Sequence, residues 1–273
     1  MAEQALAPLV RVMLGILLLL LGYAFSIAAG TALADAYAAP AESYLQDKRD
    51  AREAFTEEEW QALSASLKRA LALAPGDPRI LSELARLHRV QLEVEDLDAG
   101  QITRHGDSAT GYYQRALALR PTWPWDWGNL ALVKYEQYQD SSEVYQDALV
   151  RAVQFGPRQS SLQRLVTELG IDSWPVLRPD AVTAVLKAAD RALERNPASF
   201  SGMAVQLEKW RPLCRRAGAA FPHLARRCAA EAAAERADSQ SGAGSVSDRG
   251  PIGPLPKGSR RGFVAAHAAF VSE

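Results

Sequence analysis

Histidine, cysteine and methionine are scarce in this chain of 273 residues, at four, two and three. Two cysteines, Cys214 and Cys228, are too few for a disulfide scaffold or a four-cysteine zinc site. The histidines, His88, His105, His223 and His267, are scattered without metal-ligand spacing. No glycine-rich phosphate loop, nucleophile elbow or zinc-protease helix occurs. Strand-like alternation is nearly absent, which argues against the α/β folds that host most sugar-nucleotide enzymes. A net charge of −1 argues against a general nucleic-acid binder. No cofactor, metal or catalytic residue is expected. The tripeptide "DLD" (96–98) and the carboxylates Glu93 and Glu95 are the weak exceptions, read as a solvated helix end.

Charge is missing altogether from one segment. The 23 residues between Arg11 and Asp35 carry none. A helix of that length crosses a hydrocarbon core of about 30 Å. A cleaved signal peptide is the alternative, because Ala32-Leu33-Ala34 and Ala36-Tyr37-Ala38 both have the A-x-A form. The apolar run exceeds the usual signal-peptide core, so a retained anchor is expected, N-terminus in and C-terminus out. Either reading places the bulk of the chain across a membrane.

The rest of the chain repeats itself. "ALALAP" (70–75), "ALALRP" (116–121), "AVQFGP" (152–157) and "ALERNP" (192–197) each set an alanine five residues before a proline. Pro75, Pro121, Pro157 and Pro197 are 46, 36 and 40 residues apart. The small Ala70, Ala116, Ala152 and Ala192 admit a neighbouring helix, and each proline stops its own. Asp77 is a good N-cap, followed by Pro78 in the first helical position. Leu81, Leu84, Ala85 and His88 then fall at i, i+3, i+4 and i+7. Trp127, Leu130, Ala131 and Lys134 occupy the same slots one repeat later. The extra length between the first two stops is assigned to the polar segment 95–108.

"DWGNLA" (126–131), "LSELA" (81–85) and "YYQRALALRP" (112–121) resemble the tetratricopeptide repeat family, over about half the chain. Spacing departs from the usual period of 34 residues. The implied fold is all-α: a transmembrane helix followed by a degenerate solenoid of helical hairpins. "RPTWPWDWGNLALVK" (120–134) and "GPRQSSLQRLVTELGIDSW" (156–174) resemble VpsP-type polysaccharide biosynthesis proteins. That resemblance implies a non-enzymatic, membrane-anchored accessory to exopolysaccharide synthesis or export. Its partners would be other envelope proteins of such a machine, or an anionic glycan. A tetratricopeptide chaperone-like factor for another envelope process is the alternative.

The expected organisation is a leader (1–11), a transmembrane helix (12–34), a juxtamembrane helix or linker (35–55), helical repeats (56–206), a basic helical cap (207–235) and a disordered tail (236–273). The tail could carry a short terminal helix. Location in a bacterial inner membrane, with the bulk in the periplasm, follows from the anchor reading.

Three tryptophans alternate in "RPTWPWDWGN" (120–129). On a helix, residues i and i+2 point apart. Trp127 lies on the packing stripe and is expected in the core. Trp123, ahead of a proline, is expected to staple the helix start. Trp125 lies off the stripe, with Leu132 and Tyr135. The corresponding slots one repeat earlier hold Arg79, Ser82, Arg86 and Arg89. These seven residues form the candidate groove, suited to an acidic peptide or anionic sugar chain. Alternatively Trp125 packs on the next repeat and the arginines form a solvated face. In "KWRPLCRRAGAAFPHLARRC" (209–228) six cations appear without an acid. An oxidising compartment would allow Cys214 and Cys228 to bond; two free thiols are the alternative.

Overall fold

A computed structural model describes residues 2–51, 55–93, 97–196 and 207–241. The described residues form α-helices and one 3-10 turn at Trp174–Val176, with no strand among them. The helices are α1 (Ala2–Ala51), α2 (Glu57–Leu73), α3 (Pro78–Gln91), α4 (Ala99–Leu119), α5 (Pro124–Glu136), α6 (Glu143–Phe155), α7 (Ser160–Asp172), α8 (Pro179–Arg195), α9 (Leu207–Arg216) and α10 (Pro222–Ser241). The chain divides into two compact units, residues 1–84 and 85–273.

The repeated hexamer is a repeated helix stop. In α2, α4, α6 and α8 the final turn closes on the alanine. The backbone N–H groups of Ala74, Arg120, Gly156 and Asn196 donate to the carbonyls of Ala70, Ala116, Ala152 and Ala192 at 2.9, 2.9, 2.9 and 3.0 Å. All four alanines are fully buried. The residue next in line is a proline, which has no N–H to extend the ladder and pushes its predecessor out of the helical region. Ala74 and Arg120 accordingly adopt nearly identical backbone angles, φ −131°, ψ 71° and φ −136°, ψ 72°. Three of the stops continue into the same turn, with Asp77, Trp123 and Gln159 donating to Ala74, Arg120 and Gly156. The next helix then starts at Pro78, Pro124 or Ser160. Asp77 caps α3, its carboxylate accepting from the Arg79 N–H at 2.8 Å. Pro197 lies outside the described residues.

In the first unit α1 is one helix. It is not broken after the charge-free run, so 35–51 is neither a separate helix nor a linker. Up to Leu33 the described side chains are almost all exposed, as an apolar surface built for lipid would be. Among the described residues one helix, Val10–Lys48, is long and apolar enough to cross a membrane. Beyond Leu33 a narrow stripe of it turns inward: Ala34, Ala38, Ala41 and Leu45 are buried where α1 packs on α2. Spacings of four, three and four keep these residues on one face. Ser66 Oγ donates to the Tyr37 carbonyl at 2.8 Å. Tyr44 hydrogen-bonds Glu59, and Lys48 pairs with Glu59 at 3.2 Å. Thr56 starts α2 with a capping box closed by Glu59.

In the second unit α5 packs on α4, α6 and α7, and α8 packs on α6, α7 and α10. One continuous core runs from Ala85 to Leu224. Most of the polar segment to which the extra length is assigned is helix. Asp98 caps α4, and residues 99–108 form its opening turns, making α4 21 residues long. At the other end α10 runs on to Ser241, five residues beyond the expected start of the disordered tail. The final segment, 242–273, lies outside the described residues.

Candidate functional site

The stretch Arg120–Asn129 crosses from the end of α4 into α5. Trp125 sits in the first turn of α5 and is 5% exposed, in the core with Leu132 and Tyr135. Its indole Nε1 has no hydrogen-bond partner. Trp127 is only partly buried. Its Nε1 donates to the Pro121 carbonyl at 2.8 Å, and the Arg151 guanidinium lies 4.8 Å from the ring centroid. Trp123 is 43% exposed, with the Arg120 guanidinium 4.9 Å from its ring. Arg120 is fixed in turn by the buried Asp126 carboxylate at 2.9 Å.

The expected roles of these tryptophans are therefore corrected. Trp125 is the core residue, Trp127 lies at the margin, and Trp123 is a surface platform rather than a buried staple. Helix α5 is covered from three sides, and nearly all its residues are buried. A helix buried all round has no free face, so the single-stripe argument does not apply to it.

The candidate groove is corrected for the same reason. Leu132 and Tyr135 are interior, and the Tyr135 hydroxyl donates to Asp172 at 3.0 Å. Ser82 is buried, its hydroxyl returned to the Pro78 carbonyl at 3.0 Å. Arg79 pairs with Asp35, with Glu42 at 3.1 Å and with Asp77 at 3.5 Å. Arg86 is partly buried. Arg89 is 2% exposed. The row does not form an open cationic face.

Arg89 instead centres a buried charge cluster. Its Nη1 meets Glu93 at 2.6 Å and Glu136 at 3.3 Å. One guanidinium faces two carboxylates. Glu93 keeps some contact with solvent, whereas Glu136 Oε2 is buried without a partner. Burial therefore pushes the Glu136 carboxyl up to about 8, against the opposing pull of Arg89. Next to Arg89 in sequence, His88 lies with its Nδ1 3.3 Å from Nδ1 of His105 on α4, and its ring stacks on Tyr112, also on α4. Lys134 donates to Gln137 at 2.9 Å and Gln139 at 3.1 Å, and Gln137 donates to Asp107 at 3.0 Å. Burial lowers the Lys134 ammonium below the ordinary lysine range.

These groups are turned toward one another and tie α3, α4 and α5 together. Among the described residues no set of three or more His, Cys, Asp or Glu could hold a metal ion. Asp98 of the "DLD" tripeptide is an N-cap, exchanging hydrogen bonds with Gln101. Glu95 and Asp96 lie outside the described residues. The outward features of this unit include the arginine-stacked tryptophan rim, Arg120–Trp123 and Trp127–Arg151, with Leu119 exposed beside it in sequence, and the exposed Tyr138 and Val176.

The basic segment holds the terminal hairpin. Cys214 of α9 and Cys228 of α10 form a disulfide, with Cα atoms 5.5 Å apart. Asp190 of α8 caps α10, its Oδ1 accepting from His223 N and Leu224 N, both at 2.8 Å. Arg211, Arg215, Arg216 and Arg226 face solvent, and Arg227 pairs with Glu231 at 2.6 Å.

Neither a protein-family model nor a curated protein matches the chain.

Proposed function

We propose that this chain is a membrane-anchored, non-enzymatic scaffold whose helical hairpins stack as a degenerate tetratricopeptide solenoid and recruit other envelope proteins. The observation that carries the reading is the continuity of α1. Its exposed apolar half runs without a break into the half that packs on α2, so the anchor and the first hairpin are one element. The same feature favours a retained anchor over a cleaved leader, since Ala34 and Ala38, the last residues of the two A-x-A sites, are buried in that packing. The fourfold helix stop supports the repeat reading. The Cys214–Cys228 bond supports an oxidising compartment, and so a periplasmic position for the folded part in a bacterial inner membrane.

The process is exopolysaccharide synthesis or export, and the resemblance of segments 120–134 and 156–174 to VpsP-type proteins supports it. Partner contact falls to the Trp123–Trp127 rim, because Trp125 is closed in the core. The test is secreted polymer in a strain deleted for the gene. Loss of polymer, restored by the intact gene and not by a Trp123→Ala/Arg151→Ala variant that accumulates normally, is the expected result. Normal polymer in the deleted strain overturns the assignment to this process. An alkaline phosphatase fusion at the C-terminus tests the orientation and should be active.

A further inference from the structure

The corner where α2 hands over to α3 is placed by the register of the first hairpin. Three observations fix that register. Tyr44 hydrogen-bonds Glu59, Ser66 hydrogen-bonds the Tyr37 carbonyl, and a Cβ at Gly30 would stand 3.7 Å from the Leu73 carbonyl. The residue numbers of each pair add to 103. The two helices are therefore antiparallel and in step, and any residue of α2 can be levelled against α1. Leu73 is level with Gly30, Arg69 with Ala34 and Lys68 with Asp35.

The bilayer sets the other scale. At about 1.5 Å per residue, a hydrocarbon core of about 30 Å takes about 20 residues, which from Val12 reach to about Ala32. Arg11 marks the inner end. The outer boundary then falls within one turn of Gly30, where the last turn of α2 arrives. The charge-free run continues to Ala34, the first residue of α1 buried where it packs on α2, while Thr31, Ala32 and Leu33 before it are exposed.

The side chains at this corner are sorted by depth. Leu73, at the boundary, is 39% exposed and aliphatic, and Pro75 and Gly76 follow it in the exposed turn. Lys68 and Arg69 lie about one turn farther out and are exposed. Neither has an ion-pair partner among the described residues. The acids at this end, Asp35, Glu42 and Asp77, are engaged by Arg79. An apolar tip with free cations one turn behind it matches the order of acyl chain and phosphate in a lipid leaflet.

We propose that the α2–α3 corner is a second membrane contact, with Leu73 at the acyl boundary and Lys68 and Arg69 on anionic phospholipid headgroups. This rests on the reading of α1 as a retained anchor. It makes the first hairpin a two-point attachment, which restrains the hairpin from swinging about the end of the span.

The test uses the full chain in vesicles of phosphatidylcholine, with and without phosphatidylglycerol. Because Cys214 and Cys228 are bonded to each other, a Leu73→Cys thiol can be labelled selectively with bimane. Gln61→Cys, exposed on α2 about 18 Å farther out, is the aqueous control. Leu18→Cys, within the span, reports the anchor. A nitroxide on the lipid headgroup should quench the Leu73 label at least threefold more than the Gln61 label. Phosphatidylglycerol should increase that quenching, and Lys68→Gln with Arg69→Gln should abolish the increase. If the Leu18 label is quenched by acyl-chain nitroxide while the Leu73 and Gln61 labels behave alike, the anchor stands and the corner contact is overturned. If the Leu18 label is not quenched, the anchor reading fails and takes the contact with it. Equal quenching of Leu73 in both vesicle types overturns the anionic-headgroup assignment.

Discussion

Gly170 of α7 faces Val185 of α8 so closely that a methyl group has no place. A Cβ built at Gly170 stands 2.1 Å from Val185 Cγ2, 2.7 Å from Cγ1 and 3.0 Å from Cβ. Carbon atoms rest at about 3.5–4.0 Å. Valine cannot turn away, because both γ carbons are in contact and a helical valine is held to one rotamer. Alanine is preferred over glycine within a helix by roughly 0.5–1 kcal/mol. Overpacking a core typically costs about 1–3 kcal/mol, and this clash belongs at the upper end. Gly170→Ala should therefore destabilise the second unit by about 2–2.5 kcal/mol. For a unit of this size that lowers Tm by about 4–10 °C. The assay is thermal unfolding of the full chain in detergent, followed by far-ultraviolet circular dichroism. Val185→Ala alone leaves a cavity and also destabilises. The double variant should recover at least about 1 kcal/mol relative to the sum of the two single changes. A Gly170→Ala protein as stable as the parent, or two changes that simply add, would refute the close approach of α7 and α8.

The tryptophans give a sharper contrast: Trp125→Ala should cost about 3–5 kcal/mol, and Trp123→Ala less than about 1 kcal/mol, in the same melts. Glu136 carries a pH dependence with a definite sign. Its carboxyl is raised from 4.5 to about 8 in the fold, so its neutral form is favoured, and its contribution is greatest below pH 4.5 and declines as pH rises toward 8. Glu136→Gln should flatten that decline, measured by urea unfolding at several pH values across the window. Replacing Cys214 and Cys228 together with serine opens a loop whose ends are 14 residues apart, and should lower the stability of the α9–α10 hairpin by about 3 kcal/mol. Hydrogen exchange at Leu224 and Ala225 would read the loss.

What could be read from the sequence was local. The alanine–proline stops are set within six residues, and the physics of a missing N–H acts within one turn. What escaped depended on neighbours. Trp125 could be placed only once α5 was known to be covered by α4, α6 and α7. A hint was present in "WGNLALVKY" (127–135), which is apolar on every side rather than on one stripe. The continuation of α1 was hidden for another reason. Its packing face is Ala34, Ala38, Ala41 and Leu45, and three alanines at helical spacing carry little hydrophobic contrast. The opening turns of α4 are polar and carry two glycines, Gly100 and Gly106, so no apolar stripe marks them as helix. Asp98 and Gln101 form the capping box that starts a helix there, and those two residues were the available sign.

The alanine face of α1 also bears on how the chain is made. A nascent helix is sorted into lipid or water by its summed hydrophobicity before α2 has been synthesised. A mating face of leucines would lengthen the apolar run and draw the start of the hairpin into the bilayer. Alanine contributes little to that partition, yet it lets α2 approach closely once it emerges. Asp35 and Glu42, flanking the same face, add the charge that would end insertion. If α1 is the retained anchor proposed above, one short stretch of sequence both terminates the membrane span during synthesis and nucleates the first helical pair after it.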